Sequence, residues 1–334
     1  MTSHTETPST DDLSFWTSRK LEFRVLILGR ANAGKTTILE RVAGAAISET
    51  EVRQDGKLLH TQMIKGQSNR GFHNVDNEIR FPSRPGFVFH DSQGVEAGSA
   101  EELSTVQKFV TNRSSATHLG LQLHAIWMCV PLDESRELFE GEKAPFRWSK
   151  GATPLVVIFT KRDGAVVKEM SDIIDQLMKD SPEVTVGRSV KKEARGKADV
   201  KVTNRVNELQ GELRALSLAD DAVAFLTTSG MEERTADTDK TCEKLIELTE
   251  DCLTGPRIKT LLSAVWGRNL LTRGFWMIYW TLKGNHEAVI QLGSRTPGTR
   301  EMIAVIVRNM MVSNFSVHVV PLPNGFRRCL HSLM

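Results

Sequence analysis

Residues 21–42 read LEFRVLILGRANAGKTTILERV, and the rest of the chain is organised around them. The apolar run 23–28 predicts a buried strand. It ends in Gly29-Arg30-Ala31-Asn32-Ala33-Gly34-Lys35-Thr36, the spacing G-x-x-x-x-G-K-[ST] of a phosphate-binding P-loop. Gly29 lets the chain turn sharply off the strand. Gly34 lets the backbone N–H groups of Asn32, Ala33 and the following residues through Thr37 close around phosphate oxygens. A helix predicted from Lys35, with Ile38, Leu39, Val42 and Ala43 on its apolar face, points its positive end at the same place. Lys35 adds a full charge for the outer phosphates, and the Thr36 hydroxyl is a ligand for Mg²⁺.

Composition sets the outer bounds. A chain of 334 residues holds one large domain, or one domain and a smaller one. Hydrophobic residues make up 40% and charged residues 25%, as in ordinary globular proteins, and a net charge of +2 makes no case for nucleic acid or an anionic membrane. Residues 1–20 are polar, lack a secretory core and read as a flexible tail. The four cysteines, Cys129, Cys242, Cys252 and Cys329, show no C-x-x-C pairing, so buried reduced thiols in a cytoplasmic protein are expected.

Downstream, each apolar strand runs into a polar motif. Residues 45–77 read as irregular, a mobile switch beside the γ-phosphate or a plain surface loop. A short strand follows at 78–81, then a second apolar strand at 86–90 that enters Asp91-Ser92-Gln93-Gly94. D-x-x-G is weak alone. Behind a buried strand and after a P-loop, it places Asp91 at Mg²⁺ through a water and the Gly94 N–H at the γ-phosphate. Ser99 and Glu102 read as a capping box opening a helix with Leu103, Val106, Phe109 and Val110 inward. A third strand at 124–130 precedes a polar stretch, 133–150, with a short helix.

The strand at 155–159 enters Thr160-Lys161-Arg162-Asp163, or [NT]-K-x-D. The Asp163 carboxylate matches the N1–H and 2-amino donors of guanine, whereas adenine would leave it unpaired. The aliphatic stem of Lys161 can cover the base face. A last strand at 223–226 enters Thr227-Thr228-Ser229-Gly230, where Ser229 is a backbone contact for the base carbonyl. Between them, 165–218 reads as a charged helical insertion, with amphipathic pieces around Ile173, Ile174 and Leu177 and around Val206, Leu209 and Leu213. The basic stretch 187–201 between those pieces reads as a solvated face more readily than as a site for an acidic partner. A final helix turns Cys242, Leu245, Ile246, Thr249 and Leu253 inward and stops at Gly255-Pro256. The predicted fold class is α/β, a doubly wound, mostly parallel sheet with helices on both faces and motifs at the carboxyl ends of strands.

With GRANAGKT, DSQG, TKRD and TTSG in order, residues 21–254 resemble the translation-factor-related class of P-loop GTPases, and 70–98 are similar to a group of fungal G-domain-containing proteins. The resemblance implies binding of GTP and GDP with Mg²⁺, hydrolysis, and switch segments sensing the γ-phosphate. Two positions depart from the small-GTPase pattern. Val95 stands where those proteins carry a water-orienting glutamine, and Gln93 lies inside the motif, which implies slow hydrolysis. Asn32 resembles the P-loop asparagine of tRNA-modification and ribosome-assembly GTPases, which implies a K⁺ that stabilises transition-state charge; a plain turn residue is the alternative. Thr50, Thr61 and Ser68 are candidates for the switch threonine.

Residues 255–334 form a less legible C-terminal region. Arg268 and Arg273 interrupt the apolar 261–282, which argues against a membrane span and favours packing on the preceding domain over a membrane-surface or partner-binding segment. The expectation is a cytoplasmic guanine-nucleotide-binding switch and slow GTPase, with effectors that the sequence does not name. A nucleotide-binding scaffold without hydrolysis and a P-loop ATPase or kinase are the alternatives. No catalytic base is identifiable.

Overall fold

The structure, a computed structural model, describes residues 22–54, 56–60, 74–84, 86–92, 100–134, 137–183, 185–217 and 222–266. The chain forms β1 (Phe23–Leu28), α1 (Lys35–Ala43), β2 (Glu51–Gln54), β3 (Lys57–His60), β4 (Glu78–Arg80), β5 (Phe87–Asp91), α2 (Ala100–Ser114) and β6 (Ala125–Pro131). It continues through α3 (Glu140–Lys143), β7 (Leu155–Thr160), α4 (Arg162–Asp180), α5 (Arg188–Leu216), β8 (Val223–Thr227), α6 (Ala236–Cys252) and α7 (Pro256–Trp266).

The strands make one sheet in the order β3-β2-β4-β5-β1-β6-β7-β8. From β5 to β8 all pairings are parallel, with Val25 opposite Ala125 on one side of β1 and Phe23 opposite Phe87 on the other. β4, β2 and β3 extend the sheet antiparallel. β1, β6 and β7 read as nearly continuous apolar runs because both of their faces are covered. Alternate residues of β1 serve separate cores. Phe23, Val25 and Ile27 pack with α1, α6 and α7, whereas Leu26 and Leu28 pack with α2, α4 and α5. The fold is therefore a doubly wound α/β sheet. The chain goes from β1 to β5 on one side, then returns to β6 on the other. β1 is thus the switch point, and the crevice at its carboxyl end is where such sheets bind ligands.

One buried polar cluster interrupts the second core. Arg24 of β1 is 4% exposed and pairs with Glu78 at 2.6 Å and Glu22 at 3.0 Å. Its N–H donates to Nδ1 of His124 at 2.8 Å, and His90 lies 3.3 Å from its guanidinium. Burial, reinforced by the Arg24 charge, pushes both histidines down to about 3 from an ordinary 6.5. The folded chain therefore resists protons that the unfolded chain takes up. Stability is full above about pH 6.5 and erodes as pH falls toward 3, by about 2 kcal/mol per histidine at pH 5. Urea midpoints should fall steadily between pH 6.5 and 4. An unchanged midpoint at pH 5 would contradict this assignment.

One sequence expectation changes. The stretch 45–77 is not wholly irregular: it holds a 3-10 turn, Ile47–Glu49, and the β2–β3 hairpin, turning at Gly56 with φ 77°. The basic stretch 187–201, read as a solvated face, is mostly exposed and helical from Arg188 onward. It is the first half of α5, a single helix carried by Ala194, Ala198, Val202 and Val206 at four-residue spacing. As far as it is described, the region after residue 254 packs on the preceding domain, as expected. α7 buries Leu261, Leu262 and Val265 in the first core, about 1.5–3 kcal/mol for each side chain. Trp266 meets the Phe87 ring edge-on and takes the Arg84 guanidinium at 4.4 Å. This compact unit closes at Trp266. Among the described residues no helix is long and apolar enough to cross a membrane. Residues 1–20, Ser99, Cys329 and most of 261–282 lie outside the described residues.

Candidate functional site

The carboxyl ends of β1, β5, β6, β7 and β8 share one edge of the sheet, and the polar motifs follow them there. The loop after β1 is shaped by glycine. Gly29 has φ 139°, and a Cβ placed on it would lie 2.5 Å from the Cys129 carbonyl oxygen of β6. Gly34 caps α1 at φ 84°. No side chain caps that N-terminus and no acidic residue occupies its first turn, so the helix end faces the loop with its positive charge uncompensated. Lys35 folds back over the loop, donating to the carbonyls of Gly29 at 2.8 Å and Arg30 at 3.0 Å. Two of its three ammonium hydrogens are thereby used, and the third remains for a ligand. Thr36 is exposed and Thr37 half-buried on the first turn, and Ala33 is buried beneath the loop.

Among the described residues only Asn32 (φ 57°) and Lys161 (φ 56°) are non-glycine residues at positive φ. Each sits inside a motif, in a conformation that L side chains populate sparsely and that gathers at functional sites. Asparagine is among the L residues that enter this region most readily, which suits it to position 32.

Hydrogen bonds between residues far apart in sequence tie the motifs together. Thr160 Oγ1 donates to the Ala33 carbonyl at 2.8 Å, joining TKRD to the P-loop, and Gly34 packs against the Thr160 side chain. The Arg162 N–H donates to the Thr228 carbonyl at 3.2 Å, joining TKRD to TTSG. Thr228 in turn donates its N–H to the Phe159 carbonyl at 2.8 Å, and Arg41 of α1 donates to the Met231 carbonyl at 2.8 Å. Buried Thr228 thus leaves Ser229 exposed at the rim. Asp163 is exposed in the first turn of α4. Asp91 closes β5 opposite Ile27, and the next N–H, of Ser92, donates to the Ile27 carbonyl at 3.4 Å. An exposed threonine hydroxyl and a half-buried aspartate are hard oxygen donors, the chemistry Mg²⁺ takes when phosphates and waters complete its shell. Gln93, Gly94, Val95, Thr61 and Ser68 lie outside the described residues. Thr50 is fully buried and its hydroxyl donates to the Ile47 carbonyl at 2.7 Å.

Sequence reading missed three residues around this edge. Arg30 is 4% exposed, pairs with Glu134 at 3.1 Å and Glu142 at 3.7 Å, and lies over Phe139. Asp133, just past β6, holds the Lys161 ammonium at 3.0 Å. Arg205 of α5 donates to the carbonyls of Leu132 and Glu134. Only Asp133 had a local signal, an acidic residue directly after a buried strand. The thiol behind the loop, Cys129, is pushed up to about 12 by burial, with Lys35 opposing, and is inert. No protein-family model matches this chain, and no curated protein matches it.

Proposed function

We propose that the chain is a guanine-nucleotide-binding protein that takes GTP with Mg²⁺ and hydrolyses it slowly. The observation that supports this reading is the pair of tethers, Thr160 to Ala33 and Arg162 to Thr228, which hold the 29–36 loop and the 160–163 and 227–230 turns at one sheet edge. In this reading the N–H groups of 32–37 and Lys35 take the phosphates. Asp163 selects guanine, the Lys161 stem lies against the base, and Ser229 lies at its rim. Thr36 and Asp91 would hold Mg²⁺, which supplies neutralisation of phosphate charge when bound.

Calorimetric titration of the full chain with GTP and with ATP, both with Mg²⁺, tests this. Tight GTP and negligible ATP binding are expected. Equal affinities would overturn the guanine assignment, and binding of neither would overturn the nucleotide reading. Phosphate release under the same conditions separates turnover from binding alone.

A further inference from the structure

The Lys161–Asp133 pair has a function that the motif alone does not supply. Lys161 adopts a left-handed conformation as the residue before α4, which disfavours any L side chain by about 1–2 kcal/mol. Its stem is long and rotamer-rich, so a bare lysine there would sample many directions. The Asp133 carboxylate, 30% exposed, removes that freedom by gripping the ammonium at 3.0 Å. Asp133 is itself held through its backbone. Lys168 donates to its carbonyl at 3.4 Å, and Arg205 donates to the carbonyls on either side, those of Leu132 and Glu134. A cavity of about 370 Å³ between α4 and α5 opens behind Leu132. The segment is placed by these polar clamps together with Leu132, which is buried in the second core.

We propose that Asp133 is a positioning residue for base recognition: it fixes the lysine so that its four-carbon stem forms a preset shelf for the face of a purine. The inference rests on the guanine-nucleotide reading. Presetting the shelf removes an ordering cost at binding, so its effect appears only with ligands that carry a base.

The test uses the full chain with Asp133→Asn and Asp133→Ala, titrated with Mg·GTP and with inorganic tripolyphosphate. Both substitutions leave the backbone clamps in place, and unchanged melting temperatures check the fold. GTP affinity should fall roughly fivefold, the upper end for a part-exposed pair. Tripolyphosphate affinity should not change. Lys161→Met should lose a similar factor, and the double variant should lose no more than Lys161→Met alone. Unchanged GTP affinity in Asp133→Ala, equal losses for the two ligands, or additive losses would each overturn the proposal. A wild-type chain that takes tripolyphosphate but not GTP would overturn the guanine reading, and this inference with it.

Discussion

Gly29→Ala is expected to abolish triphosphate binding and to lower stability by about 2–4 kcal/mol. Two causes act together. At φ 139° an L side chain is strained whatever the space around it, and here the space is taken. The new methyl would sit 2.5 Å from a backbone oxygen of β6, which cannot swing aside as a flexible side chain can. Either the loop or β6 must move. Both carry the site, because the segment after β6 holds Arg30 through Glu134 and Lys161 through Asp133. The contrasting substitution is Gly196→Ala. Gly196 lies within α5, and a Cβ there meets nothing within 4 Å. It should stabilise by about 0.5–1 kcal/mol through helix propensity and a less disordered unfolded chain. Paired denaturant melts should therefore move in opposite directions. Gly29→Ala that melts and binds like the wild type would mean that the loop is not the tight turn described.

Asp163→Asn is expected to cut GTP affinity tenfold or more and to create affinity for xanthosine triphosphate. A hydrogen bond to a charged group contributes about 1.5–3 kcal/mol, and the carboxylate would accept two of them from guanine. Xanthine presents a carbonyl where guanine has its amino group, and the asparagine amide can donate to it. The fold should hardly notice. Asp163 is exposed, and the turn is placed by its neighbours: Arg162 bonds Thr228 through its backbone, and Asp199 and Thr203 of α5 through its side chain. Only a favourable charge in the first turn of α4 is lost, about 0.3–1 kcal/mol. Competition among GTP, ITP and XTP measures the switch. Parallel losses for all three would show that the carboxylate does not read the base.

Much of the parallel sheet is legible because its strands are buried on both faces. Apart from Arg24, FRVLIL, AIWMCVP and LVVIFT are apolar without alternation, and the first and third run into motifs. Burial on two faces is a property of local composition, so composition reveals it. The β2–β3 hairpin is harder to see. Its strands are four residues each, lie toward the sheet edge and carry Glu51, Arg53, Gln54 and Lys57. The one clue is the Asp55-Gly56 dipeptide, a hairpin turn signal. α5 hides for another reason. Its buried stripe uses alanine and valine, which carry little weight beside a run of lysines and arginines. Arg30, Asp133 and Arg205 act through partners that only the fold brings near, so no window along the chain contains both halves of the pair. The motif residues of the site were readable, whereas the groups that hold them in place were not.

Each tether in the site also closes a long stretch of chain. β1 is made first but pairs with strands 87–91 and 125–131, and the Thr160–Ala33 bond spans 127 positions. Such non-local closures are slow and come late in folding. The loop after β1 is therefore complete in sequence long before it is complete in shape. During synthesis from the amino end, nucleotide competence should appear only once 223–230 have been added to the growing chain. A nascent chain halted earlier would carry the whole GRANAGKT motif and still bind nothing.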